Sequence, residues 1–177
     1  MEGENKVRLI IHDGDCNYEK AIREKFQKGG QELHIVSDDG SIKQCIGCFG
    51  CWLKTPGQCV LNDHYNNMGE LGGRAEDFII ISECLYGTYS PFVRNVLDRC
   101  LPYVHPYFTK RNGEIHHRSR YDNRMKVRVY FYGRVSEAEK ETARKMVAAN
   151  TINFNGIVEE VIFFNDKEEI IHESSIN

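Results

Sequence analysis

Four of the chain's seven cysteines lie within fifteen residues, in the segment CIGCFGCWLKTPGQC at positions 45 to 59. The first three follow a C-x2-C-x2-C spacing, and the fourth comes after seven more residues. Thiolates three residues apart on a compact turn can converge on one inorganic core, and Gly47 and Gly50 let the backbone approach it. The segment is therefore a candidate ligand set for a four-iron cluster, made of Cys45, Cys48, Cys51 and Cys59.

Two other interpretations of this segment stay open. Zinc sites more often take their cysteines from two separated C-x2-C pairs, so a single run of three suits a tetrahedral ion less well. Loop cysteines in a reducing cell also occur as small, half-buried side chains without a ligand, and Pro56-Gly57 marks an ordinary turn. We place the unliganded turn first, the cluster second and zinc third.

The bulk composition is that of an ordinary globular chain. Its 177 residues are 41% hydrophobic and 28% charged with a net charge of -3, which predicts one domain spanning residues 1–177 and argues against a nucleic-acid partner. No apolar run approaches the roughly 20 residues that cross a bilayer, and the start MEGENKVRLII lacks the features of a signal peptide. We expect no membrane partner and a cytoplasmic location, where an odd number of cysteines does not build a disulfide framework.

The elements that must position these residues alternate between strand and helix. Apolar runs predict strands at 7–12, 32–37, 77–84, 126–132 and 157–164. Helical spacing predicts helices within 13–29, 63–74, 90–101 and 136–153, with Asp63 and Ser136 as N-caps. This rhythm predicts an α/β fold, a flavodoxin-like three-layer sandwich whose five-stranded parallel sheet has the order 2-1-3-4-5 and helices on both faces.

Ligands of such folds bind outside the carboxyl ends of the strands. In this chain those ends lead into the loops at 12–17, 45–59, 82–89 and 133–136. We expect the cysteine segment to form a turn and a short helix at this edge, with Trp52 as a packing anchor. Cys84 lies at the end of an apolar strand and Cys100 at the end of a predicted helix, and both are predicted to line the core.

A polar insertion follows the third predicted helix, at residues 105–124. It carries five Lys or Arg residues against two acids, interleaved with Tyr107, Phe108 and Tyr121. One interpretation is a solvated connector with a turn at 112–113. The other is a basic lid or dimer contact near an anionic ligand.

Three stretches of the chain resemble one family. The segment CIGCFGCWLKTPGQCVLND (45–63) closely resembles the one shared by flavodoxin-like NAD(P)H-dependent FMN reductases and their relatives, including iron-sulfur flavoproteins. YGTYSPFVRNVLDR (86–99) is similar to the family's loop and helix after the third strand, and GEIHHRSRY (113–121) to its insertion after that helix.

This resemblance implies a domain that holds FMN at the strand ends, takes hydride from NAD(P)H and passes electrons to a small-molecule acceptor, without a catalytic side chain. The implied flavin contacts are Gly14, Asn17, Ser82, Tyr86, Gly87, Thr88, Tyr89 and Gly133. Four insertion residues would close over the cofactor from the same subunit or from the partner in a homodimer, namely His116, His117, Arg118 and Arg120. In the iron-sulfur branch the four cysteines of the segment would hold a [4Fe-4S] cluster.

The first loop departs from the family pattern. Relatives usually read Gly-Ser-Pro-Arg followed by a hydroxyl-rich turn that holds the FMN phosphate, whereas this chain reads HDGDCNYE. Asp13 and Asp15 would face the doubly charged phosphate. The free-energy cost of like-charge repulsion at about 5 Å exceeds the stabilisation that a helix N-terminus contributes. Glu83 would add a third negative charge. Two alternatives to the reductase therefore stay open: an iron-sulfur electron-transfer flavoprotein, and a binding protein of this fold that has lost its cofactor.

Overall fold

A computed structural model describes residues 7–27, 29–111 and 113–176 of the chain. Helices and strands follow one another in the order β1 (Val7–His12), α1 (Cys16–Phe26), β2 (Glu32–Val36), α2 (Gly50–Leu53), α3 (Met68–Arg74), β3 (Ala75–Glu83), α4 (Pro91–Arg99), a 3-10 turn (Leu101–Tyr103), β4 (Val104–Arg111), β5 (Glu114–Ser119), β6 (Lys126–Tyr132), α5 (Glu137–Asn153), β7 (Ile157–Phe164) and α6 (Lys167–His172).

Five of these strands form one parallel sheet in the order β2-β1-β3-β6-β7. The predicted α/β fold with a five-stranded parallel sheet is confirmed. The numbering differs from the predicted order 2-1-3-4-5, because the insertion supplies β4 and β5, two strands that the sequence analysis did not predict.

Side chains that alternate along the strands build a core on each face of the sheet. On the side of the sheet covered by α3, α4 and α5, Leu9 and Ile11 of β1 pack in one cluster with Phe78, Ile80, Val129 and Ala143. Ile10, the residue between them, points to the other side of the sheet, which α1 and α6 cover. There it packs in a second cluster with Ile22, Ile79, Ile81 and Ile170. β3 is buried over nearly its whole length, as the largely apolar run DFIIIS predicts for a central strand of a parallel sheet.

Several element boundaries coincide with the sequence predictions. β1, β6 and β7 begin and end where their apolar runs do. α5 begins at the predicted N-cap Ser136, in a capping box: the Ser136 side chain accepts from the Glu139 amide, and the Glu139 carboxylate accepts from the Ser136 amide. In the described part of the chain, no helix is both long enough and apolar enough to cross a membrane.

The predicted helix start at Asp63 is wrong. α3 begins at Met68, and the Asp63 carboxylate instead accepts two hydrogen bonds from Arg99, at 2.7 and 2.8 Å, at the end of α4. It also accepts from the backbone amides of Lys43 and Tyr65. The long-range hydrogen bonds from Arg99 thus replace the helix-capping role that local spacing predicted for Asp63.

The insertion folds into an antiparallel hairpin, β4–β5, rather than an irregular connector. Its register pairs Phe108 with His117 and Arg111 with Glu114. The hairpin leaves Tyr107, Phe108 and Ile115 exposed at 64%, 67% and 74%. This apolar surface beside basic side chains is available for a partner.

Candidate functional site

The strand order of the sheet changes direction between β1 and β3, and three loops meet above that point. They are residues 13–15 after β1, 83–90 after β3 and 133–136 after β6, and we call them the rim. Asp13 lies at its centre: one carboxylate oxygen accepts from the Tyr132 hydroxyl at 2.9 Å, and the other from the Glu83 amide at 2.9 Å and the Ser82 hydroxyl at 3.4 Å. A single carboxylate therefore ties together the ends of β1, β3 and β6.

A second carboxylate closes the start of α1. Asp15 is the N-cap of this helix, and one of its side-chain oxygens accepts from the amides of Asn17 and Tyr18, both at 2.9 Å. The hydrogen bond from the Tyr18 amide and the nearby charge of Lys167, 3.6 Å away, lower the pKa of Asp15. The amides that a phosphate would use at this helix end are thus already bound to the chain's own anion.

Gly14, between the two acids, is held by close packing. A side chain there would meet the Tyr18 ring at 2.3 Å, and the Gly14 amide donates to Nδ1 of His12 at 3.2 Å. His12 is completely buried, and burial lowers its pKa. The imidazole therefore stays neutral and acts as a structural acceptor beneath the loop.

The loop after β3 makes a tight two-residue turn. Leu85 and Thr88 exchange backbone hydrogen bonds at 2.9 and 3.0 Å, while Tyr86 and Gly87 between them have φ values of 54° and 76°. Two consecutive positive φ angles are typical of a type I′ turn. The turn presents the Tyr86 side chain to solvent, where it is 90% exposed.

Two predicted site residues near this turn lie in the interior. Tyr89 is 2% exposed and stacks on Phe131 with the ring centroids 5.4 Å apart. Ser82 is fully buried, and its hydroxyl accepts from the Ser90 amide at 2.9 Å. Both side chains hold the loop in place, whereas Thr88 is partly exposed on the rim itself.

Gly133 forms the third side of the rim. Its φ of 111° lies in the region that favours glycine, and its amide donates to the Phe164 carbonyl at 3.1 Å. A side chain added there would lie 3.7 Å from Cγ of Glu83, whose own side chain is exposed. Glu83 is thus the third carboxylate of the rim, beside Asp13 and Asp15.

The hairpin residues predicted to close over the cofactor lie away from the rim of their own subunit. His116 lies within hydrogen-bonding distance of Asn153, the last residue of α5, and Arg111 donates to the Ile152 carbonyl. The rim turn instead packs on the first turns of α5, against Glu139. Fourteen residues of helix separate these two contacts, about 21 Å along the axis.

The other hairpin side chains differ in their surroundings. Arg120 donates from Nε to the Pro102 carbonyl at 2.8 Å, while Arg118 is exposed. His117 lies between the rings of Trp52 and Phe108, with centroids 4.9 Å from each. Its Nδ1 is buried without a hydrogen-bond partner among the described residues.

The cysteine segment contains the predicted turn and short helix, α2, with Phe49 at a φ of 53° before it. Its sulfurs meet different surroundings: Cys51 is buried, Cys48 is exposed, and Cys45 and Cys59 are partly exposed. Burial raises the pKa of Cys51, which opposes the thiolate a metal needs. Within residues 7–27, 29–111 and 113–176, no three His, Cys, Asp or Glu side chains are placed to hold a metal ion. The iron-sulfur cluster hypothesis is therefore not supported.

Cys84 and Cys100 are buried at 7% and 5% exposure, as predicted. Trp52 is a packing anchor, also as predicted: it packs against the core on the α3, α4 and α5 side of the sheet, and its indole donates to the Val104 carbonyl at 2.9 Å.

Sequence reasoning missed two residues that contact the rim. Tyr132 is the last residue of β6, and its hydroxyl meets a partner 119 positions away, which no local pattern shows. Lys167 begins α6, a helix that was not predicted although Asp166 caps it in an ordinary way. The Tyr18 hydroxyl donates to the Lys167 carbonyl, so this helix covers the outer side of the first loop.

No protein-family model matches the chain, and no curated protein sequence matches it significantly. Solved structures do match. An azoreductase from Bacillus anthracis str. Sterne has a TM-score of 0.58 at 12% identity, over 94% of this chain and 93% of that one. An FMN-dependent NADH-azoreductase from Bacillus anthracis str. Ames Ancestor, solved with FMN, has a TM-score of 0.54 at 12% identity, over 94% and 92%. General stress protein 14 from Treponema denticola, also solved with FMN, has a TM-score of 0.53 at 11% identity, over 94% and 90%. The likeness confirms the flavodoxin-like fold.

Proposed function

We propose that this chain is a flavin-dependent NAD(P)H oxidoreductase that passes electrons to a small-molecule acceptor. The observation that carries the proposal is the rim turn: two backbone hydrogen bonds between Leu85 and Thr88 close it, and Tyr86 within it is 90% exposed, at the point of the sheet where ligands of this fold bind. An exposed aromatic ring on a rigid turn is suited to stacking on a planar ligand. Two solved structures with this fold contain FMN, which favours a flavin as that ligand.

The two ends of FMN meet different surroundings on the rim. The isoalloxazine ring finds the Tyr86 face and the backbone of Gly133, whose missing side chain leaves room for it, while Gly87 packs its α-carbon against α5. The phosphate finds Asp13 and Asp15, and the helix amides it would use are occupied. The residues therefore fit the ring and do not fit the phosphate.

The role of the chain's own residues is binding and orientation. A bound flavin supplies the hydride chemistry, so no side-chain base is required. Asp13 fixes the three loops of the rim relative to one another, and the Leu85–Thr88 turn fixes the direction of Tyr86. The electron acceptor would reach the open side of the rim, where Tyr86 and Glu83 are exposed.

Flavin binding by the purified protein tests this proposal. We expect quenching of flavin fluorescence on addition of protein, and bleaching of the visible flavin band when NADH or NADPH is added without oxygen. Replacing Tyr86 by alanine removes the stacking face and is expected to weaken flavin binding about 3- to 10-fold. The matched variant Tyr86→Phe keeps the ring and should bind as the wild type does. Absence of binding of both FMN and riboflavin would refute the proposal.

We also propose that the protein is a homodimer in which the hairpin of one subunit lies over the rim of the other. The contacts of the hairpin with the far end of α5 keep it about 21 Å from its own rim. Its basic side chains complement the three rim carboxylates, and its exposed apolar residues supply surface to bury. The partner's hairpin would then bring His116, His117, Arg118 and Arg120 to the site.

Sedimentation velocity measures this dimer directly. We expect a dimer at micromolar concentration that dissociates as salt rises, since exposed charges are screened. The Arg118→Glu variant reverses a charge on the hairpin and should favour the monomer. Lys145→Glu, on the exposed face of α5, is the matched control and should leave the dimer intact. A monomer at every concentration and salt would contradict the proposal.

A further inference from the structure

We infer that the rim selects a flavin that lacks a phosphate, of the riboflavin class, over FMN. This inference rests on the proposed flavin-dependent function and concerns the chemistry of the same site. It follows from the disagreement between the phosphate of FMN and the side chains that surround the first loop.

The first amides of α1 are not free to hold a phosphate. A phosphate at the start of a helix is normally held by the free amides of the first turn. In α1 the amides of Asn17 and Tyr18 donate to the Asp15 carboxylate at 2.9 Å each. A phosphate would have to displace this internal anion and then lie beside it, because Asp15 remains tethered to the adjacent position.

The Asp13 side chain is fixed in its position by distant partners. Its carboxylate accepts from Tyr132, the Glu83 amide and Ser82, which belong to two other strands. Ser82 is fully buried, and the Tyr132 hydroxyl has its pKa raised by burial and by Asp13. Turning Asp13 away from an incoming phosphate would leave the Tyr132 hydroxyl and the Glu83 amide without their acceptor, so the negative charge stays at the centre of the rim. The Ser82 hydroxyl can donate to the Glu83 carbonyl instead, at 2.9 Å.

The cations near the first loop do not offset its carboxylates. Lys167 lies 3.6 Å from the Asp15 carboxylate and above the Tyr18 ring, so its charge is already shared with an acid. Arg134 lies on the rim loop after β6, but its exposed side chain lines, with Lys140, a cavity of about 450 Å³ between the ends of β6 and β7. Lys140 also pairs with Glu137. Among the described residues, the three rim carboxylates make one ion pair, that of Asp15 with Lys167.

The same carboxylates suit the neutral end of riboflavin. The ribityl chain of riboflavin ends in hydroxyl groups, and ionised carboxylates are strong acceptors for hydroxyl donors. Asp15 is exposed and has oxygen lone pairs beyond those used for the helix cap. A ligand that donates hydrogen bonds would be favoured where one that carries negative charge is repelled.

The test is a pair of fluorescence titrations, with riboflavin and with FMN, on the full-length protein. We expect riboflavin to bind about tenfold or more tightly than FMN at low ionic strength, with the ratio falling as salt screens the carboxylates. The Asp15→Asn variant keeps the helix cap and loses the charge. It should strengthen FMN binding at least about threefold while riboflavin binding does not strengthen. Asp13→Asn should act in the same direction.

Asp122→Asn removes an exposed carboxylate that lies away from the rim and serves as the control, and circular dichroism confirms that each variant is folded. FMN binding as tightly as riboflavin, or more tightly, would overturn this inference and leave the flavin-dependent function standing. An unchanged preference in both Asp13→Asn and Asp15→Asn would also overturn it. Failure of both flavins to bind would refute the proposed function itself.

Discussion

Replacing Asp63 by alanine is expected to lower the free energy of unfolding by about 3–5 kcal/mol. The Asp63 and Arg99 side chains are 2% and 0% exposed, and two hydrogen bonds of 2.7 and 2.8 Å join them. Removing the carboxylate leaves a guanidinium charge buried without its counter-charge, which is the costly way to break such a pair. Chemical denaturation followed by circular dichroism measures the loss.

The same pair predicts a pH dependence. Burial alone would raise the pKa of Asp63, but the hydrogen bonds and charge of Arg99 and two backbone amides lower it to about 2. A depressed folded-state pKa contributes stability above the unfolded value of about 3.9, and that contribution is lost as pH falls toward 2. The wild type should therefore lose stability between about pH 4 and pH 2, and the Asp63→Ala variant should show a flatter profile there.

The pair also fastens the cysteine segment to the end of α4, which gives a second measurement. Arg99 donates to the Lys43 carbonyl at 2.7 Å, and Asp63 accepts from the Lys43 amide at 3.0 Å. Loosening this segment should speed the reaction of the buried Cys51 with a thiol reagent. Glu141→Ala breaks an exposed ion pair on α5 and is the control, with stability close to wild type. A stability loss no larger than that of the control would contradict the expectation for Asp63.

Asp63 also shows where prediction from sequence stops. Local spacing favoured this residue as the cap of a helix over 63–74, but Arg99 lies 36 positions further along the chain and binds it instead. Ser136 and Glu139, by contrast, form their capping box within four residues, and the sequence pattern alone was sufficient. Prediction succeeds where the determining contact is local and fails where the fold supplies a distant partner.

The strands also differ in how far local sequence predicts them. β1, β6 and β7 carry the apolar runs that burial on a sheet requires, so periodicity located them. β4 and β5 are exposed or only partly buried except at Val104, and their residues do not alternate regularly between apolar and polar, so their pairing rests on backbone hydrogen bonds that leave little trace in residue types. The polar composition of the insertion therefore predicted a connector where the fold has a hairpin.

At the rim, the sequence showed the charges but not their partners. Asp13 and Asp15 were recognisable as a departure from a phosphate loop because their type and position are local facts. The cap that Asp15 forms on the amides of α1 is a local contact, two and three residues along the chain. That Asp13 joins three strands through Tyr132 and Glu83, by contrast, depends on the strand order of the sheet. The site residues named from sequence remain predictions that flavin titration will test.

Replacing Gly87 by alanine should destabilise the protein and weaken flavin binding together. An added methyl group would lie 2.8 Å from Cβ of Thr142 and 2.9 Å from the Glu139 carbonyl, so the turn must move off α5. The positive φ of 76° adds strain of about 1–2 kcal/mol for any side chain, and the clash adds about 1–3 kcal/mol. Because this turn presents Tyr86, its displacement would also move the proposed stacking surface.

Gly40 offers a matched control for this variant, because its φ is 75° and no atom lies within 4 Å of an added side chain. Gly40→Ala therefore carries the backbone strain without the clash, and the two free energies of unfolding should differ by about 1–3 kcal/mol. Flavin titration separates the functional effect, since only Gly87→Ala is expected to weaken binding. Equal stability losses in the two variants would show that the turn can shift away from α5 at little cost, and unchanged flavin affinity in Gly87→Ala would show that this turn does not contact the ligand.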